Sequence, residues 1–345
     1  MARRILWASL ALAPATIAVD RLAHPGKVTL FVLAAAALIP LAWLIGEATE
    51  HAAEHTGAGV GGFLNASFGN APELIIALFA VDDGLPQVVR GSLSGSVISN
   101  LLLVFGVTQL VGPERKINRR SLILQLGLVA TAVVLLTVPV TLGYTGSPER
   151  HSAVVASIPV AVILLVLYLG VTRRNLREHR ELERGLPAAG AWPMARSLAV
   201  LAVATLLTAF VSEILVHSLG AFAKAVGATE FFIAVVIVAI VGNAAEHGGA
   251  IVIARAGKMK LASEIAISSS AQVALLVAPV VMLLSLLFTN PLPLTFRWEE
   301  LVAMAAAVVL AAATVANGST RRWEGALLVG SYAIVVAGFW LAGNR

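Results

Sequence analysis

Two short runs hold the residues of this chain best suited to chemistry in an apolar setting. They are Gly69-Asn70-Ala71-Pro72-Glu73 and Gly242-Asn243-Ala244-Ala245-Glu246-His247. Each sets a carboxylate one helical turn after an amide, within a stretch otherwise almost free of polar side chains. An ionised carboxylate at the centre of a bilayer costs about 2.5–3.5 kcal/mol even on lenient scales, so it needs a partner. The neighbouring sequence supplies none. No Lys or Arg occurs between Lys27 and Arg90, although Glu47, Glu50, Glu54, Glu73, Asp82 and Asp83 all lie there. None occurs between Lys224 and Arg255, which enclose Glu230 and Glu246. No apolar span carries a central Lys or Arg that could reach across. The missing positive charge must come from outside, as a proton or a metal ion.

The residues around the two acids suit a hard cation. Carboxylates, the amide oxygens of Asn70 and Asn243, and backbone carbonyls form an oxygen-only donor set of the kind that Ca2+ takes. The chain has no cysteine, which removes thiolate sites for soft metals and any disulfide framework. Gly69 and Gly242 fall in mid-span, where glycine permits a helix break beside a cavity. Ser96, Ser99 and Asn100 in one half, and Ser268, Ser269, Ser270 and Gln272 in the other, are matching polar patches. Each serine reads equally well as a cavity lining or as a small contact between helices, whereas Asn100 and Gln272 are less easily dismissed as contacts alone. Two like charges in a medium of low dielectric hold protons when empty, and a divalent ion reverses that preference. A site that holds either protons or metal, and opens to alternate sides, is an antiporter. Ca2+ and H+ are then cargo, Glu73 and Glu246 the metal and proton ligands, and no cofactor is called for.

These residues sit in a chain built for lipid. Of 345 residues, 59% are hydrophobic and 12% charged, and the mean hydropathy is +0.90. Soluble domains are roughly a quarter charged. The net charge of +5 is scattered over short loops, which speaks for topogenic charge rather than nucleic-acid binding. Apolar blocks between charged or Gly/Pro-rich breaks predict eleven spans, near 5–20, 28–50, 60–81, 87–111, 121–143, 152–172, 197–219, 229–253, 261–289, 300–316 and 324–341. With the N-terminus inside, seventeen basic residues fall in cytoplasmic segments and seven in outer ones, as the positive-inside rule requires. The block after Arg3-Arg4 reads as a retained helix, because no small-x-small cleavage site stands out behind it.

The two glutamate runs align without a gap at an offset of 173 residues, which also pairs Gly84 with Gly257, Ser96 with Ser269 and Leu102-Leu103-Val104 with Leu275-Leu276-Val277. The copies lie on the third and eighth spans. Five spans apart is an odd number, so they cross the membrane in opposite directions, an inverted repeat with its site at the midplane. The predicted fold is an all-α integral membrane protein of about eleven transmembrane helices. It comprises an N-terminal helix and loop (1–27), a first five-helix repeat (28–172), a cytoplasmic linker (173–196) and a second five-helix repeat (197–345).

At these motifs the chain resembles the Ca2+/H+ antiporter family of the cation/Ca2+ exchanger superfamily. Residues 61–78 and 241–254 resemble the family's paired repeats, and 268–279 the helix that follows the second. The likeness runs over roughly 41–110 and 205–285. It implies Glu73 and Glu246 as the ion-binding, proton-exchanging pair, with Asn70, Asn243, Ser96, Ser269 and Gln272 around them. It also implies a cytoplasmic vestibule holding Thr49, Glu50 and Glu54. Some relatives carry a strongly acidic helix between the halves, but residues 173–184 here are mainly basic, so regulation by such a helix is not carried over.

Some features point elsewhere. His51-Ala52-Ala53-Glu54-His55 fits the H-x-x-E-H pattern of inverted zinc peptidases, but no third ligand is identifiable, and wetted vestibule residues are the plainer reading. His247 either tunes the neighbouring site or bonds a backbone carbonyl, and His217 reads as a satisfied helix-end residue. Trp43, Trp192, Trp298 and Trp323 suit interfacial anchoring. Three readings follow: Ca2+/H+ exchange, exchange of another cation (Mn2+, Na+, or Ca2+ driven by Na+), and a membrane zinc hydrolase. The sequence leaves homo-oligomerisation open.

Overall fold

In the computed structural model, residues 2–23, 25–143, 151–179 and 192–343 are described. Every regular element among them is helical, and an isolated bridge joins Lys116 to Ser319. The N-terminal block is two helices, α1 (Ala2–Ser9) and α2 (Leu12–Leu22). Then come α3 (Lys27–Gly69) and α4 (Ala71–Asp82). The next span is α5 (Pro86–Ile98), a π-helical segment Ser99–Val104, and α6 (Phe105–Val111). Two long helices follow, α7 (Arg119–Gly143) and α8 (His151–His179).

The second half begins with α9 (Met194–Ala225). Its glutamate-bearing span is broken into α10 (Glu230–Ile233), a π segment Ala234–Val238, α11 (Ala239–Gly242) and α12 (Ala244–Arg255). Then come α13 (Met259–Gln272), a π segment Val273–Val277 and α14 (Ala278–Ser285). The chain closes with α15 (Trp298–Val315) and α16 (Arg322–Gly343).

Helix α3 is not straight. Phe68 packs against the cluster that holds Leu44, Ile45, Trp192 and Leu201, whereas a straight helix would carry it about 35 Å beyond Ile45. The chain therefore bends away from a straight axis between Thr56 and Phe68, where the predicted second and third spans meet. Among the described residues nine helices are long and apolar enough to cross a hydrocarbon core, or ten when the bent pair Glu230–Gly242 and Ala244–Arg255 is one span. The predicted span 60–81 runs from the end of α3 across the break at Asn70 into α4. Helix α8 runs on to His179, so the first residues of the predicted linker extend a helix; the linker's middle, 180–191, lies outside the described residues.

The first helices of the two halves pack against each other. Phe31 of α3 stacks on Phe222 of α9 at 4.2 Å, and at the other end His51 stacks on Trp192 at 4.6 Å, so the two helices run antiparallel. The spans α5–α6 and α13–α14 are the most enclosed. Helices α7, α8, α9 and α16 turn Leu124, Val134, Val166, Val203, Leu206 and Ile334 outward, the apolar surface that lipid covers. Gly84 and Gly257, paired by the repeat, both take positive φ (68° and 82°) just after α4 and α12, where a side chain would be strained.

Loops predicted on one side of the membrane meet each other. Ile117 N–H donates to Gly318 O at 3.0 Å and Thr320 N–H to Arg115 O at 2.9 Å, joining two segments expected in the cytoplasm. His55 Nε2 lies 2.7 Å from the Trp192 carbonyl, joining two more. At the opposite end, His217 and Asp83 are 3.2 Å apart.

Candidate functional site: two glutamates at crossed helix breaks

The span of α3 and α4 breaks at Asn70, and that of α11 and α12 breaks at Asn243 with a bend of 59°. Pro72, in the first turn of α4, explains one break, since it has no N–H to continue the α3 ladder. Glycine permits a break at Gly69 and Gly242. The structure sets each break one residue later, and neither glycine takes positive φ. Their role is close approach. A Cβ on Gly242 would lie 3.2 Å from Glu73 Cγ, and a Cβ on Gly69 would lie 3.7 Å from Glu246 Oε1. Each glycine thus faces the glutamate of the other copy. Reciprocal contacts of this kind, residue i on j′ and j on i′, are what a two-fold relation produces.

The break also aims the acids. Glu73 and Glu246 are both in the first turn of a new helix, α4 and α12, where the positive end of the helix dipole favours negative charge. Glu73 is 7% exposed, and no side chain donates to either of its oxygens among the described residues. Glu246 is half-buried and accepts a hydrogen bond from Ser269 Oγ. Neither acid forms an ion pair among the described residues.

The predicted polar residues assemble here. Asn70 Nδ2 donates to Gln272 Oε1 at 2.8 Å. Asn243 Nδ2 donates to Ser96 Oγ and to the Ala239 carbonyl, both at 2.8 Å. Asn100 is a hub: its amide donates to Ser269 Oγ at 2.9 Å and to Asn243 Oδ1 at 3.4 Å, and its carbonyl oxygen lies 2.9 Å from His247 Nε2. An amide oxygen only accepts, so His247 carries its proton on Nε2. His247 therefore bonds a side chain rather than a backbone carbonyl, one of the options the sequence left open. Ser99 is less involved; its hydroxyl turns back to the Ser96 carbonyl at 3.3 Å. Asn100 and Ser99 open one π segment, and Gln272 directly precedes its counterpart in the other half. The extra residue of a π turn re-aims side chains and recurs at functional sites.

Other predicted residues lie elsewhere. Glu50 is exposed and Glu54 half-buried on α3. His51 sits 3.8 Å from Glu47 and 3.9 Å from Glu54 with its ring against Trp192. The second histidine of the H-x-x-E-H pattern is held by the Trp192 carbonyl. Among the described residues no group of three His, Asp or Glu is arranged to hold a metal ion. Among the described residues the zinc-peptidase reading finds no such site.

Sequence reasoning overlooked Gly91 and Gly95. A Cβ on Gly91 would come within 3.0 Å of the Phe231 carbonyl, and one on Gly95 would collide with the Val235 backbone. This small-x-x-x-small stripe lets α5, which carries Ser96, lie against the π segment that leads to Gly242. The pattern was legible in the sequence. Also overlooked was the fully buried Glu300, which accepts from Ser94 Oγ at 2.7 Å and from the Arg297 N–H at 2.7 Å and lies near the buried Arg90.

A family profile described as sodium/calcium exchanger protein matches residues 27–175 and 196–341. The chain is 39% identical over 334 residues to the Ca(2+)/H(+) antiporter ChaA of Bacillus subtilis, covering 94% of this chain and 95% of that one. It is 34% identical to the vacuolar calcium ion transporter of Schizosaccharomyces pombe, over 90% of this chain and 79% of the relative. Among solved structures, native YfkE superposes with a TM-score of 0.85 at 36% identity, covering 98% and 99% of the two chains. The H+/Ca2+ exchanger CAX gives 0.74 at 17% identity, over 99% of this chain and 92% of the other, a likeness of fold. This chain is thus a multi-pass membrane transporter rather than an enzyme, and it belongs to the sodium/calcium exchanger family, among its Ca2+/H+ antiporters.

Proposed function

We propose that this protein exchanges Ca2+ for H+ by alternating access, with Glu73 and Glu246 binding either the metal or protons. The observation that carries the reading is the crossed packing of Glu73 on Gly242 and Glu246 on Gly69, which gathers two acids with no counter-ion among the described residues. A divalent cation supplies in one particle the charge that two protons supply separately. Asn70, Asn243 and Gln272 add neutral oxygens, a donor set suited to a hard cation and not to a soft one. Because the same oxygens serve both cargoes, loading one expels the other. The halves 28–172 and 197–345, read as inverted repeats, would rock about the fixed site to expose it to each side in turn. The names of the relatives, antiporters of Ca2+ and H+, agree with this cargo.

The test is uptake of Ca2+ into sealed vesicles holding the purified protein. An imposed pH gradient should drive uptake without Na+, and Glu73→Gln or Glu246→Gln should each lower it at least about 100-fold in protein that stays monodisperse. Robust flux in either variant, or a strict need for Na+, would overturn the assignment.

A further inference from the structure

At the end of the bundle opposite the Arg115–Arg120 loop lies an open cavity of about 670 Å³. Three cationic side chains far apart in sequence, Arg90, Lys224 and Arg297, line it with Gln87, Thr229 and Glu230. All three come from segments predicted to be outer, where basic residues are scarce under the positive-inside rule. Nearly half of the seven predicted there gather in this one cavity.

The acids around it have their own donors. Glu230 Oε2 accepts from Gln87 Nε2 at 3.1 Å. Glu300, behind the wall, is held by Ser94 and the Arg297 N–H. Arg90 is buried, with Nη1 3.5 Å from Thr295 Oγ1. Lys224 and Arg297 close no salt bridge among the described residues, and the Arg297 guanidinium rests over the Phe231 ring at 5.0 Å. Glu300 also acts on Arg90 and Arg297, so three cations against Glu230 and Glu300 leave one positive charge in excess.

Its level in the bundle is marked by aromatic residues. Phe231 packs on Phe339, Phe232 packs on Trp340, and the exposed Trp298 follows Arg297 directly. Tryptophans gather at the depth of lipid headgroups. The volume far exceeds a single halide and matches that of a small-molecule site. Guanidinium groups pair with phosphate oxygens in bidentate fashion, and an ammonium adds a point charge.

We propose that this cavity binds a phosphate group, at a site separate from Glu73 and Glu246. Two sources share that chemistry, an anionic lipid headgroup and free phosphate.

The experiment follows thermal unfolding of the purified full chain in a neutral, phosphate-free detergent at constant ionic strength. Inorganic phosphate and phosphatidylglycerol are titrated separately, with sodium chloride and phosphatidylcholine as controls. The comparison is the Lys224→Gln/Arg297→Gln double variant. Arg297 starts α15 through its backbone, so its side chain can be changed without losing that turn. Protection by phosphatidylglycerol alone would support a headgroup site, and protection by inorganic phosphate as well would support a site for free anions too. In either case the double variant should need at least about tenfold more ligand, while its Ca2+/H+ flux in phosphatidylcholine vesicles stays within about twofold of wild type. No protection by either probe, or equal protection of wild type and variant, would overturn the proposal.

Discussion

The two copies of the glutamate motif match in backbone and charge but differ in hydrogen bonding. Both acids open a helix after a break at asparagine, and both face the other copy's glycine. Yet Glu246 sits at the end of a chain from His247 through Asn100 and Ser269, whereas Glu73 has no side-chain donor among the described residues. The 173-residue offset shows why. The counterparts of His247 and Asn100 are Leu74 and Val273, whose side chains donate nothing, and Ser96, the counterpart of Ser269, accepts from Asn243 but donates to no glutamate among the described residues. What a cation needs, two carboxylates and flanking oxygens, is duplicated. What orients one carboxylate is not. The two acids are therefore unequal partners, Glu246 held and partly exposed, Glu73 buried and dependent on its cargo.

Substitutions at paired positions test that inequality. The largest difference should come from the glycines. Gly242→Ala puts a methyl 3.2 Å from Glu73 Cγ inside a packed crossing, and exchange should fall at least about tenfold. Gly69→Ala meets Glu246 at ordinary contact distance, 3.7 Å, and should cost no more than about threefold. Equal losses in vesicle flux would mean that the crossing is looser than drawn. Next comes Asn100→Leu, which leaves partners of the hub unsatisfied in a buried setting. It should destabilise the protein by about 1–3 kcal/mol, read as a lower unfolding temperature, while Val273→Ala at the paired position should cost less. A smaller effect is expected at the serines. Ser269→Ala removes the donor to Glu246 and should change the Ca2+ concentration for half-maximal flux by about tenfold, a difference of about 1.4 kcal/mol. Ser96→Ala, at a hydroxyl that bonds Asn243 and no glutamate among the described residues, should leave that concentration within about threefold. Smallest of all is His51→Ala, which should leave exchange intact, because its ring meets Trp192 and lies outside the glutamate site.

Much of this was legible in the residues themselves. A glutamate and an asparagine are so costly in hydrocarbon that meeting them twice, at one spacing, singled out Glu73, Glu246, Asn70 and Asn243. Asn100 and Gln272 stood out for the same reason. Partnerships were not legible, because they are made across the fold: Asn100 reaches Asn243 and Ser269, and Asn70 reaches Gln272, 202 residues away. The π segments leave no periodic signal, so which faces Asn100 and Gln272 present could not be read. The bend inside α3 is legible only as a gap between two apolar blocks, since helical propensity is local while the contact of Phe68 with residues of α9 is made across the fold. The buried Glu300 went unnoticed because it follows Glu299 near a span end, where an acid looks wetted; only the fold brings Ser94 and Arg90 to it.

Competition between protons and metal at one carboxylate pair is the core of this account, and proton release on Ca2+ binding measures it directly. The purified chain in weakly buffered detergent should release protons when Ca2+ is added, with tighter binding as the pH is raised. The Glu73→Gln/Glu246→Gln double variant should release none. Tight Ca2+ binding without proton release, or release undiminished in the double variant, would contradict it.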